Sequence, residues 1–257
     1  MSLEKLQSHW DHFGSEDPMF AVLTDPDKKG GKWDEDSFYA TGREEIAKLL
    51  SSLDRHRILF KKRRALDFGC GAGRLSQALA EHFDKVSGID IAPSMIHLAE
   101  SNNRFPDRLT FHLNSSNSLP FPQFMFDFLY SNYVLQHIAP EYAKRYIAEF
   151  MRVLDHSGVA VFQFTSAPRA TSKRLLAQTM PAFMLKAYRR LRFGKHYMEM
   201  HGIPVEEVEQ IVADNGGQVL RMVHVEADDN WQSHICYAMK IDKDPSAIEP
   251  NAPIPSR

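Results

Sequence analysis

The chain has 257 residues, 43% of them hydrophobic and 25% charged, with a formal net charge of −2. That length suits one large domain with additions, and the near-neutral charge argues against a wholesale nucleic-acid binder. The two cysteines, Cys70 and Cys236, show no metal or redox spacing and fit a reducing cytoplasm rather than a disulfide framework. A polar N-terminus and the lack of any apolar run near ~18 residues point away from a signal peptide or membrane span.

Residues 1–40 are polar with scattered aromatics (Trp10, Phe13, Phe20, Trp33, Phe38, Tyr39) and a turn-like Lys28-Lys29-Gly30-Gly31. Thr41-Gly42-Arg43-Glu44 reads as a capping box. It opens a helix with Ile46, Leu49, Leu50 and Leu53 on one face. From 63 to 164, strand-like runs alternate with helical ones. The strands are Ala65–Phe68, Val86–Ile89, Leu109–Leu113, Phe126–Tyr130 and Val159–Phe164, and a helix over 140–154 stops at Ser157-Gly158. Such alternation predicts a parallel sheet with helices on both faces. Pro204 opens a further helix, Gly216-Gly217 ends it, and Gln218–Val225 and His234–Lys240 read as closing strands. The Pro-rich residues 244–257 read as a disordered tail.

Asp67-Phe68-Gly69-Cys70-Gly71-Ala72-Gly73 joins the first strand to the first core helix. Glycines suit a sharp turn that a ligand approaches closely. A dinucleotide fingerprint would place its third glycine at 74, where Arg74 stands; the glycine falls instead at Gly73. Asp90 ends the second strand, 21 residues after Gly69, near the spacing of an acid that grips a ribose through its two acceptor oxygens.

This G-x-G-x-G loop after Asp67 resembles motif I of the class I S-adenosylmethionine-dependent methyltransferases. The likeness continues through Ile89–Met95, Phe126–Ile138 and Phe150–Leu154 before Ser157-Gly158. It implies a Rossmann-like α/β fold: a seven-stranded, mostly parallel sheet with helices on both faces, an N-terminal arm and a helical insert after strand 5. It also implies S-adenosylmethionine as cofactor, held by Asp67, Gly69, Cys70, Gly71, Gly73, Asp90, Ile91, Ser115, Ser116 and Ser131. Asp67 and the Gly69 carbonyl would serve the cofactor's ammonium, and a helix N-terminus would receive its carboxylate. Many members carry an Asp after the third strand; here the run is Asn114-Ser115-Ser116-Asn117-Ser118, so the adenine contact falls to Asn, Ser or backbone groups.

On the acceptor side, His137 follows the fourth strand and is the candidate general base, since an ordinary imidazole pKa near 6.5 suits proton transfer at neutral pH. The alternative is a histidine that hydrogen-bonds a loop and positions it. His201 is a second candidate, against a plain surface histidine before a helix. The Asn/Asp/Ser-Pro-Pro-aromatic motif of adenine-N6 and glutamine-amide methyltransferases is absent at Ser131-Asn132-Tyr133, and no ligand cluster stands at metal spacing. Between Asp155 and Glu199 no acidic residue occurs, while Arg169, Lys173, Arg174, Lys186, Arg189, Arg190, Arg192 and Lys195 do. That basic stretch would attract an anionic acceptor, or is simply a solvated face over a packing stripe from Met180 to Leu191. The segment from Phe38 to Arg43 resembles one that closes over the cofactor in many relatives, or else is an arm packed for stability.

The expected organisation is one domain over 1–243: arm 1–54, cofactor core 63–164, insert 168–200, closing elements 204–241. The expected activity is methyl transfer to an O or N nucleophile of a small molecule. The competing readings are an RNA or protein methyltransferase, a non-catalytic cofactor-binding partner subunit, and a dinucleotide oxidoreductase.

Overall fold

A computed structural model describes residues 1–168, 198–228 and 231–241. The basic stretch from Arg169 to Lys195 and the tail 244–257 lie outside the described residues.

The arm is helical. α1 (Leu3–Glu16) is capped by the Ser2 hydroxyl, and α2 (Pro18–Val22) follows directly. The Gly30-Gly31 turn is held by Asp17, whose Oδ2 accepts both glycine N–H groups at 2.7 and 3.0 Å. α3 (Glu35–Arg55) begins earlier than the capping box predicted. Its N-cap is Asp34, which accepts the Ser37 N–H at 2.9 Å. Thr41 sits two turns inside the helix and donates its hydroxyl to the Phe38 carbonyl.

The core elements then run β1 (Arg64–Phe68), α4 (Arg74–Ala80), β2 (Lys85–Asp90), α5 (Pro93–Ser101), β3 (Leu109–Leu113), β4 (Phe126–Ser131), α6 (Pro140–Val153) and β5 (Leu154–Pro168). α7 (Val205–Asp214), β6 (Gly217–Asp228) and β7 (Trp231–Lys240) follow. α6 passes straight into β5, so the strand starts before Ser157-Gly158 rather than after it. Phe126 pairs Leu154 and Phe128 pairs Val159; the register shift between them absorbs Ser157, which takes a left-handed conformation at φ 61°.

The seven strands form one mixed sheet in the order β3-β2-β1-β4-β5-β7-β6. The first five are mutually parallel, and β7 runs antiparallel to both β5 and β6. Strand alternation divides the core between the two faces. Leu66, Phe68, Ala160 and Phe162 pack with α6 and α7 through Ile147, Phe150, Met151 and Val208. Ala65, Val159 and Val161 pack with α3 and α4 through Ile46, Leu53 and Leu79. Chain order reverses between β1 and β4. In open α/β sheets the ligand crevice lies beyond the strand C-termini at such a switch point.

Candidate active site

A cavity of about 730 Å³ opens at that point. Gly69 and Gly71 after β1, Asp90 and Ile91 at the end of β2, and Asn132, Tyr133, Val134, Gln136, His137 and Ile138 after β4 contribute to its wall. The arm adds a further side, from Leu3, Leu6 and Trp10 of α1 through Val22 and Trp33 to Thr41 and Glu45 of α3.

The glycine loop is braced internally. The N–H groups of Gly69 and Cys70 both donate to the Ile89 carbonyl, at 2.8 and 3.0 Å, and Gly73 N–H donates to the Cys70 carbonyl at 2.9 Å. Gly71 N–H donates to Asp90 Oδ2 at 2.8 Å. These four N–H groups are therefore already committed, one within the loop and three to the end of β2. Gly71 takes φ +51°, and a Cβ there would stand 2.8 Å from the Val22 side chain. At Gly69, with φ +77°, a Cβ would lie 2.3 Å from Val134. Glycine is required at both by backbone and by space.

Asp90 faces the cavity, half-buried, with Oδ1 accepting the Ala92 N–H at 2.9 Å. Desolvation holds its carboxyl above the ordinary range, against the opposing pull of the Ala92 and Gly71 N–H groups. Each carboxylate oxygen keeps a lone pair for a hydroxyl of a ligand. Asp67 lies just behind, 1% exposed. Its Oδ2 accepts the Ser76 hydroxyl at 2.6 Å, and its Oδ1 has no partner among the described residues. Desolvation pushes it up to about 7.

A family model described as a methyltransferase domain matches residues 66–162. The uncharacterized methyltransferase YcgJ of Bacillus subtilis is 29% identical over 97 residues, 37% of this chain and 38% of that protein. A malonyl-[acyl-carrier protein] O-methyltransferase of Herminiimonas arsenicoxydans is 33% identical over 99 residues, 38% of this chain and 35% of that protein. The matches thus span well under half of these relatives' length. The magnesium protoporphyrin IX methyltransferase of Synechocystis, solved with bound S-adenosylhomocysteine, superposes with a TM-score of 0.60 at 17% identity, covering 93% of this chain and 99% of that one. Residues 66–162 are a methyltransferase domain, set in the fold of the class I S-adenosylmethionine-dependent enzymes.

The remaining motif residues of this methyltransferase domain sit away from the cavity wall. Cys70 is buried, and burial pushes its thiol well up. Gly73 is the N-cap of α4, where a Cβ would meet Phe111 and Ala99; it serves helix packing. Ser131 is buried and ties β4 to β1 by donating to the Phe68 carbonyl at 3.0 Å. After β3 it is Asn114 that reaches the wall, while Ser115 and Ser116 do not. Asn114 organises the loop, its side chain bonding Ser116 and Ser118.

Two features depend on the fold and not on local sequence. Arg74, noticed only as a departure from a dinucleotide fingerprint, is 3% exposed and pairs with Glu45 at 2.9 Å. Glu45 also accepts the Tyr130 hydroxyl at 2.9 Å and the Asn132 amide at 2.7 Å. This places a carboxylate from the arm on the cavity wall, 29 residues from its partner, beyond the reach of any local motif.

The second feature is the setting of His137. It is 8% exposed, lies in the short 3₁₀ turn Leu135–His137, and meets Trp10 edge-on at 5.3 Å. Desolvation lowers it to about 4, with the Glu199 carbonyl opposing that shift. His201 is half-buried, with Nε2 3.6 Å from the Glu199 carboxylate, and burial lowers its pKa as well. Met198 and Met200 beside it reach the cavity. Among the described residues no cluster of His, Cys, Asp or Glu could hold a metal ion, and no helix is long and apolar enough to cross a membrane.

Proposed function

We propose that this protein transfers a methyl group from S-adenosylmethionine to an O or N nucleophile of a small-molecule acceptor. One observation carries the reading: a single cavity runs from the Gly71–Asp90 brace to the Asn132–His137 segment and is roofed by the arm. A site enclosed on that side suits a small acceptor better than a duplex or a folded protein surface. Two relatives are named as O-methyltransferases, one of malonyl-[acyl-carrier protein] and one of ubiquinone biosynthesis, which supports an oxygen acceptor here.

The residues fit the cofactor. Asp90, on the cavity wall with an acceptor lone pair left on each oxygen, suits the ribose hydroxyls. Ile91 offers an apolar wall to the adenine. The partnerless buried oxygen of Asp67 is an acceptor that an ammonium, directly or through water, would satisfy. S-adenosylmethionine, when bound, supplies a sulfonium methyl already activated for in-line attack. The chain's own task is to hold the acceptor in line and exclude water, and placement alone accounts for ~7–11 kcal/mol in well-oriented reactions. The arm helices that roof the cavity perform the exclusion.

The described cavity wall carries Asp25, Glu45 and Asp90, with Arg74 committed to Glu45. Among the described wall residues no uncommitted Lys or Arg awaits an anionic group of the acceptor, and the basic stretch that the sequence offers for one lies outside the described residues.

Thermal-shift and calorimetric titration with S-adenosylmethionine, S-adenosylhomocysteine and NAD(P) test the cofactor. Stabilisation by the first two and not by NAD(P) is expected; the reverse would sink the reading. A small-molecule acceptor screen by mass spectrometry then seeks a gain of one methyl. Methylation of RNA or protein alone would replace the small-molecule assignment.

A further inference from the structure

The turn after β4 carries a hydrogen-bond chain whose polarity is fixed from both ends. It starts at the Tyr133 backbone N–H, which donates to Gln163 Oε1 at 3.2 Å. Gln163 Nε2 donates to Gln136 Oε1 at 3.0 Å. Gln136 Nε2 stands 3.1 Å from His137 Nε2, and His137 Nδ1 stands 2.9 Å from the Glu199 carbonyl oxygen. A backbone N–H can only donate and a backbone carbonyl can only accept. Side-chain amides and imidazoles can ordinarily be flipped or retautomerised to suit their neighbours. Here reversing any one of them sets donor against donor or acceptor against acceptor at the next link. Gln136 must therefore present its NH₂ to His137, whose Nε2 must accept, and whose Nδ1 must carry the proton.

We propose that Tyr133, Gln163, Gln136 and His137 form a polarised chain between two backbone anchors, which locks His137 as its neutral Nδ1–H tautomer and makes it a positioning residue joining the segment at Met198–His201 to the turn after β4. The assignment rests on reading the cavity as the methyl-transfer site. Two further bonds show the same joint: His201 N–H donates to the Gln136 carbonyl at 2.7 Å, and Thr165 donates its hydroxyl to the His201 carbonyl. The consequence for the site is direct. Tyr133, held at φ +60° and 43% exposed, lines the cavity together with Gln136, Met198 and Met200, so the chain sets the shape of the acceptor end. Both imidazole nitrogens are occupied, so a proton lost by an acceptor goes to another group.

Long-range ¹H–¹⁵N correlation of imidazole-labelled protein reads the tautomer without any acceptor. The chain has 12 histidines, and the His137 signal is the one absent in His137→Asn. The expected signal is a neutral Nδ1–H imidazole that does not titrate from about pH 5 to about pH 9. An Nε2–H tautomer, or titration near the ordinary value of about 6.5, would overturn the proposal. Gln136→Glu replaces the donor facing Nε2 with an acceptor, and should bring a proton onto Nε2 in the neutral range. The charged groups that bear on this are the His201 imidazole and the Glu199 carboxylate. A His137 signal unchanged in Gln136→Glu would break the link between the two side chains. At the other end, Gln163→Leu should speed amide hydrogen exchange at Tyr133 by at least about ten-fold; unchanged exchange would remove Tyr133 from the chain. Because these readouts need no cofactor, they can succeed where the cofactor reading fails, and the reverse.

Discussion

Asp90 accepts the Gly71 N–H at 2.8 Å, so the acid ending β2 is fastened to the glycine loop in the protein itself. The proposed ribose recognition and the loop shape therefore depend on the same side chain. Asp90→Ala removes two charge-assisted acceptors from the cavity wall and releases the loop. S-adenosylhomocysteine affinity should fall about ten-fold or more, since such bonds are worth ~1.5–3 kcal/mol. Calorimetry on the folded variant checks this; unchanged affinity would remove Asp90 from the cofactor site.

Gly71 tests the loop by geometry. Gly71→Ala forces a side chain into a left-handed conformation at φ +51° and against Val22. The backbone term alone costs ~1–2 kcal/mol, a loss of roughly 2–8 °C in Tm for a chain of this size. Cofactor binding should be abolished or nearly so. Val22→Ala in the same chain removes the clash with the arm but leaves both the strain and the intrusion. Affinity should stay lost in the double variant. Recovery there would mean that Gly71 matters to arm packing and not to the cofactor.

Asp67 predicts a proton signature. Desolvation raises its carboxyl from 3.8 to about 7. Between those values the native state holds a proton that the unfolded chain has released. The contribution of Asp67 to stability is therefore greatest below about pH 4, declines as pH rises, and levels off above about 7. Asp67→Asn should remove that slope from Tm measured across the window. If Asp67 serves the cofactor's ammonium, binding near pH 6 should also expel up to about one proton, and binding near pH 9 almost none. Calorimetry in buffers of different ionisation enthalpy measures it, and equal proton release at both pH values would contradict the assignment.

The alternation of strands and helices was legible because the two periodicities differ, and each strand of the core fell within a few residues of its expected place. The start of α3 was misread because Asp34 and Thr41 are both competent caps. Local sequence cannot say which one has helical backbone before it, and the choice was made by Phe38 and Tyr39 packing into the core. α1 was missed because its apolar residues, Leu3, Leu6 and Trp10, gain burial only against the turn after β4 and neighbouring core elements. In the site, Gly69, Gly71, Asp90 and Ile91 could be found because a loop motif and a spacing carry them. Glu45 could not: its three partners come from α4, β4 and the turn beyond, joined only by the fold. The Gln163–Gln136 bond, 27 residues apart, was invisible for the same reason.

The Glu45–Arg74 pair fixes the arm to the start of α4, just after the glycine loop, and its removal should show this as stability. Arg74 is 3% exposed and Glu45 is the only acidic partner it pairs with among the described residues. Glu45→Ala strands a buried guanidinium, a loss of about 3 kcal/mol at the low end for a broken buried pair, because Glu45 itself is partly exposed. For a chain of this size that is a fall of roughly 6–12 °C in Tm. Replacing both residues together, Glu45→Leu with Arg74→Met, removes the stranded charge and should recover much of the loss, since desolvating two ions offsets most of what their attraction returns. The Tyr130 hydroxyl and the Asn132 amide lose their acceptor in both variants, so their cost cancels in the comparison. A single-variant Tm equal to that of the wild type would show that Arg74 finds water or another partner and that the arm is held by apolar packing alone. A double variant no better than the single one would place the cost in Tyr130 and Asn132 and not in the ion pair.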